Sequence, residues 1–215
     1  MKRFILVCAL GLTIPLVSGC QSAYYSAMEQ VGVHKRDILV DRVEDTRNAQ
    51  DDAQEQFLSA LEQFRTVVNF DGGELEEVYN DLQSEYDDSV AAAEEVSDNI
   101  RQVEDVSEAL FEEWQDELDQ YTSQKLRSQS ARSLRDTKAR YKTLHTSLKR
   151  AESKMQPVLS ALLDNTLYLK HNLNARAIGS LKGEFAGIKQ DIDRLVAEMQ
   201  RSIQQSDQFI KEMKQ

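Results

Sequence analysis

Glycine and proline are nearly missing from this chain. It holds 8 glycines and 2 prolines in 215 residues, about 5% where usage near 12% is ordinary. Sandwiches, propellers and loop-rich disulfide scaffolds need a turn every ten residues or so. A chain with so few breakers cannot supply them. Long helices remain, and the fold class expected is all-α.

The apolar pattern says where those helices lie. Between Leu39 and Val67 a stripe alternates strides of four and three, through Val43, Thr46, Gln50, Ala53, Phe57, Ala60 and Phe64. Leu61 and Val68 widen it, which suits a bundle helix better than a two-stranded seam. Asp71-Gly72-Gly73 then reads as a helix stop and tight turn. A second stripe runs from Leu75 through Leu82, Val96, Ile100, Val103, Leu110 and Trp114 to Tyr121. Either Thr122-Ser123 caps the next helix or Ser133 and Asp136 form a capping box. The earlier site is favoured, because Leu126 is already in phase with Leu134. The third stripe runs from Leu134 to Leu169 with Pro157 inside it, where a kink is expected. Asn172-Leu173-Asn174 marks the last break, with Asn174 as N-cap. The fourth stripe runs from Leu181 to Met213. The expectation is one domain over 34–215, an elongated antiparallel four-helix bundle of coiled-coil-like helices at about 34–69, 74–121, 123–172 and 174–213.

The first residues read as a processing signal. Lys2 and Arg3 precede an uncharged apolar stretch from Phe4 to Leu16. About 13 residues are too few for the roughly 20 that span a bilayer, and they suit a secretory leader. The stretch ends in Leu16-Val17-Ser18-Gly19-Cys20, which resembles a bacterial lipobox. The resemblance implies a signal peptide over 1–19, covalent lipid (palmitate-type chains) on Cys20, and a tether over 20–33. The other cysteine, Cys8, lies inside the leader, so Cys20 has no disulfide partner in the mature chain. Stable anchoring takes two or more acyl chains, which such a cysteine carries. Gln21 and Ser22 follow it where an Asp would favour inner-membrane retention. The implied location is the inner leaflet of the outer membrane, facing the periplasm.

Charge divides the chain. Residues 20–120 hold 28 acids and 6 bases, and residues 121–215 hold 9 acids and 18 bases. Ten of those bases crowd into 125–154: Lys125, Arg127, Arg132, Arg135, Lys138, Arg140, Lys142, Lys149, Arg150 and Lys154. So dense a basic helix can be a nucleic-acid footprint. An exported chain meets little nucleic acid. The favoured reading is that these bases face Glu108, Glu112, Glu113, Asp116, Glu117 and Asp119 of the preceding helix, selecting neighbour and register. No nucleic-acid partner is expected.

Motifs for chemistry are missing. The chain has no G-x-x-x-x-G-K-[ST] loop, no G-x-S-x-G and no H-E-x-x-H. His34, His145 and His171 are far apart, and none has the Glu three residues earlier that bundle metal sites use. They read as surface or turn histidines. Asp51-Asp52 and Asp87-Asp88 lack the spaced oxygen ligands of a calcium loop. No metal, no catalytic residue and no cofactor beyond the covalent lipid are expected.

Two segments hold aromatic, amide and basic groups where the helical pattern pauses. One is Tyr24-Tyr25-Ser26-Ala27-Met28 with Val31 to Leu39. The other is Tyr168-Leu169-Lys170-His171-Asn172-Leu173-Asn174-Ala175. Turns of rigid bundles are reasonable places for binding residues, so Tyr168, His171, Asn172, Asn174 and Asp71 are candidate partner contacts at one tip. At the other end, Lys125, Arg127, Arg132, Lys211 and Lys214 are candidate contacts to anionic headgroups. With Val68-Asn69-Phe70-Asp71-Gly72-Gly73 and Ala109-Leu110-Phe111-Glu112-Glu113-Trp114, these segments resemble a family of uncharacterised proteobacterial lipoproteins, catalogued as domain of unknown function 2959. The resemblance covers the whole mature chain. It implies an all-helical envelope protein and carries no assigned activity.

Three function classes follow. The first is a non-enzymatic lipid-anchored scaffold, spacer or docking module, held to the membrane by its lipid and meeting an envelope protein partner. The second is a periplasmic regulator or chaperone-like binder of peptide or lipid. The third is a hydrolase with an unrecognised site. A large apolar groove would favour the binder, and a closed core with polar tips the scaffold.

Overall fold

The computed structural model describes Tyr25, Met28 and residues 32–214; the leader and Cys20 lie outside the described residues. Two compact units are distinguished, Met1–His34 and Lys35–Gln215. The second unit holds four long helices: α1 (Lys35–Val68), α2 (Leu75–Glu117), α3 (Gln124–His171) and α4 (Ala175–Met213). No strand occurs among the described residues. The fold is an all-α helical bundle.

Each helix ends for a local reason. After α1, the Asn69 N–H bonds the Arg65 carbonyl at 3.1 Å and the Phe70 N–H bonds that of Val67 at 3.2 Å. Gly72 and Gly73 then take φ of 151° and 118°, a region that side chains with a Cβ rarely enter. α2 starts without a side-chain cap, but Glu76 and Glu77 in its first turn oppose the positive end of the helix dipole. It tightens into a 3-10 turn at Leu118–Gln120 whose Leu118 is buried. Tyr121 is extended, and the Ser123 side chain accepts the Leu126 N–H at 3.4 Å to begin α3. The earlier of the two possible caps is the one used. α3 then runs unbroken through Ser133, Asp136 and Pro157. Before α4, Asn174 accepts the N–H groups of Arg176 and Ala177 at 3.0 and 3.2 Å.

Contacts between helices fix an up-down-up-down course. Lys35 at the start of α1 meets Glu113 near the end of α2 at 3.0 Å, whereas Gln56 meets Glu85 at 2.8 Å. Arg127 meets Asp119 and His145 meets Glu104, both at 2.6 Å, so α3 runs back along α2. Arg140 pairs with Glu212 at 3.2 Å and the Tyr168 hydroxyl lies 3.4 Å from Ser180, which reverses α4 against α3. The ring closes where Phe64 stacks on Phe185 at 6.1 Å and Arg47 reaches Asp207 at 2.8 Å. The turn at 69–74 and the turn at 172–174 therefore share one tip. The turn at 118–123 shares the other with the start of α1 and the end of α4.

The stripe from Leu39 to Val67 is buried at every stride of three or four, with Leu61 beside it half-buried. Many core residues are small, among them Ala49, Ala53, Ala60, Ala93 and Ala151. It also holds polar residues: Thr46, Gln50, Ser202 and Ser206 are wholly buried between α1 and α4. Thr46 and Ser206 return their hydroxyls to carbonyls one turn back at 2.7 and 3.1 Å. The Gln50 amide oxygen and nitrogen and the Ser202 hydroxyl find no partner in the protein. Leu126 departs from the pattern. It is 52% exposed, because α2 has already ended in its 3-10 turn and offers no helix for that first turn of α3 to pack on.

Candidate functional site

The tip shared by 69–74 and 172–174 has its polar residues largely occupied. Asn174 caps α4, and the Asn172 amide donates to the Tyr168 carbonyl at 2.8 Å while its N–H closes on Leu169 at 3.0 Å. Those two candidates shape the turn. Tyr168, His171 and Asp71 are exposed, as are Leu167 and Leu173 beside them. The tip presents a small mixed surface of apolar, aromatic and ionisable groups.

At the opposite end, Lys125, Arg127, Arg132, Lys211 and Lys214 are all exposed. Asp119 pairs with Arg127, and Glu44 lies 3.7 Å from Lys214. Two of the five bases are thus partly neutralised by acids of the same end. Glu117 adds a further exposed carboxylate there.

The seam between α2 and α3 carries a cluster that sequence reasoning missed. His145 sits mid-helix, half-buried at 35% exposure, with its Nε2 at 2.6 Å from the Glu104 carboxylate. Its ring stacks on Tyr141 at 5.7 Å, and Tyr141 meets the Phe111 ring edge-on at 5.5 Å. Lys138 lies over Phe111 at 5.5 Å, and Lys149 stands 3.9 Å from Glu104. Burial pushes the Tyr141 phenol above its ordinary pKa; a Ser107 hydrogen bond pulls the other way, and Glu104 and Glu108 add to the rise. The Ser107 hydroxyl donates to the Glu104 carbonyl at 2.8 Å. The cluster staples two helices. Glu104 and His145 are 41 residues apart in sequence, and only the antiparallel register joins them. Among the described residues no group of three or more His, Cys, Asp or Glu can hold a metal ion.

Two shallow grooves run between helices. One of about 560 Å³ lies between α2 and α3, with Val90, Ala93, Met155 and Leu159 at its floor and Asp98 and Arg101 at its rim. The other, about 480 Å³, lies between α3 and α4 and is lined by polar groups including Lys142, Thr146, Arg150, Arg201 and Gln204. Neither is the large apolar groove that a peptide or lipid binder would need.

The expected charge array across the α2–α3 seam is mostly unmade. Of the ten bases at 125–154, only Arg127, Arg140 and Lys149 reach a carboxylate. Of the six acids expected to face them, Asp119 pairs with Arg127 while Glu113 turns to Lys35 on α1. Helical phase is the reason: the bases are spread around the outer side of α3, with Lys142 and Arg150 on the α3–α4 groove and Arg140 turned to Glu212 of α4. Among the described residues no helix is long and apolar enough to cross a membrane.

A family model described as "Protein of unknown function (DUF2959)" matches residues 24–213. No curated protein and no solved structure matches the chain.

Proposed function

We propose, from the premise that the chain belongs to the DUF2959 family, that it is a non-enzymatic, lipid-anchored envelope protein acting as a periplasmic helical scaffold, spacer or docking module. The observation that carries this reading is a bundle closed on its own core, whose distinctive chemistry is all on its outward faces and tips. Phe57, Phe64, Ile100, Leu148, Ile192 and Leu195 fill that core. The surface grooves are shallow and rimmed by charge. Helices of 34 to 48 residues are about 50–70 Å long at 1.5 Å per residue, a useful reach from an anchoring surface.

The anchor itself rests on the sequence Leu16-Val17-Ser18-Gly19-Cys20. Multiply acylated Cys20 would hold the chain to the outer membrane without a spanning helix. The exposed tip with Tyr168, His171 and Asp71 would then lie away from the membrane and meet an envelope protein partner. The basic end would lie near headgroups, where each unpaired base contributes about 1 kcal/mol. Replacing Cys20 by alanine should abolish acyl labelling and leave unprocessed precursor. A mutant that is still processed and still held at the membrane would sink the anchored reading. Crosslinking in intact cells followed by mass spectrometry tests docking; recovery of no protein neighbour would reject it.

A further inference from the structure

We infer that the α2–α3 face of the bundle is the contact surface of a parallel homodimer, in which α2 of each copy lies on α3 of the other. This goes beyond the scaffold reading, because it depends only on the face itself.

The face carries two matched rows. On α2, Asp98, Asp105 and Glu112 recur every seven residues, and on α3, Arg135, Lys142 and Lys149 do the same. All six are exposed. A seven-residue step turns a helix through nearly two whole turns and rises about 10.5 Å, so each row runs along one outward side of its helix, with Lys142 standing where it also borders the α3–α4 groove. The rows are also level. Glu104 meets His145 and Lys138 lies over Phe111, which puts residues summing to 249 at one height. Lys149, Lys142 and Arg135 are therefore each within about two residues, or 3 Å, of Asp98, Asp105 and Glu112 in turn. No ion pair joins one row to the other within the chain. Asp98 pairs with Arg101 of its own helix, and Lys149 is shared between Glu152 at 2.5 Å and Glu104 of α2 at 3.9 Å. The Asp105–Lys142 and Glu112–Arg135 levels are therefore the ones left open.

Symmetry selects the partner and its direction. A twofold axis parallel to the helices lays α2 on the facing α3 and, by the same operation, α3 on the facing α2. Heights are unchanged, so acid meets base at all three levels in both halves. A twofold axis across the helices would lay α2 on α2, acid on acid. Only the parallel arrangement is complementary, and it closes after two copies.

The space between the rows suits an interface. The 560 Å³ groove exposes part of a floor made by Val90, Ala93, Met155 and Leu159 at the level of Asp98. A face about 45 Å long and two helix widths across offers on the order of 900 Å² per copy, near the 800 Å² of a standard interface. Ala93, Met155 and Leu159 are already buried within each copy and Val90 alone is half-buried. The ion pairs of the two halves, at about 0.2–1 kcal/mol each, therefore set both the register and most of the attraction. The net charge of −11 opposes approach at long range, but at physiological salt that repulsion is screened beyond about 8 Å.

Charge reversal gives the test. One variant of the full chain carries Arg135→Glu and Lys142→Glu; a second carries Asp105→Lys and Glu112→Lys. Native mass spectrometry of detergent-purified protein reads the stoichiometry. The wild type should be a dimer, and each variant alone a monomer with unchanged circular dichroism. Mixing the two variants, or placing all four changes in one chain, should restore the dimer. A monomeric wild type, a dimer that survives either reversal, or a mixture that stays monomeric would overturn the inference. So would a monomer that instead binds a duplex DNA oligonucleotide, which would make the basic row a nucleic-acid face. Acyl labelling at Cys20 is unaffected by any of these results.

Discussion

Asn174 caps α4 through one side chain. Replacing it by alanine removes the acceptor for two N–H groups and should cost about 0.5–2 kcal/mol in denaturant unfolding. That role was legible in the sequence because a cap is local. Gln50 is different. The stripe marked it as an inward position, but no local rule says that its amide stays unpartnered there. Each buried unsatisfied group costs about 1–3 kcal/mol, so Gln50→Leu should stabilise the protein. A gain of about 1 kcal/mol would raise Tm by roughly 2–4 °C at this size, and a lowered Tm would refute the accounting. Tyr141 adds a pH dependence. Its folded pKa is raised above the ordinary 10.0, so the unfolded chain loses this proton first. The stabilisation is whole below pH 10 and is lost as pH rises through the folded value. Tyr141→Phe should flatten that alkaline loss in a series of unfolding curves.

At the scale of helices, periodicity carried most of the information. A stripe with strides of three and four states both the helix and the side it buries, and Phe64 on the first stripe is fully buried against Phe185. Phe64→Ala should cost about 3–5 kcal/mol. Leu126→Ala, on an exposed first turn, should stay within about 0.5 kcal/mol. The contrast also marks the limit of the pattern. Leu126 is in phase with Leu134, but burial needs a neighbour at the same height, and phase cannot say where the neighbouring helix stops. The charge array fails for a related reason. Composition placed ten bases beside six acids, while their angles about the helix axes turned most of them outward. The seam is held instead by Glu104, His145, Tyr141 and Phe111, a set that only the register assembles.

For the molecule as a whole, the order of helices is testable without a partner. In a chain with Cys8 and Cys20 replaced by alanine, cysteines at Asp71 and Leu173 share one tip and should join through a short bismaleimide. A pair at Asp71 and Ser123 lies at opposite ends and should not. The reverse result would rule out the up-down course. The division of charge between the two halves bears on how that course is reached. Residues 20–120 carry 28 acids against 6 bases, so α1 and α2 repel each other when they first come together, and like charge destabilises a compact state. The later half, with 18 bases against 9 acids, relieves that repulsion only once it is present. A chain delivered from its N-terminus is therefore held open until its second hairpin arrives. Refolding from denaturant should speed up as salt is added at low ionic strength, because added ions do for the first hairpin what the second one does in the finished bundle.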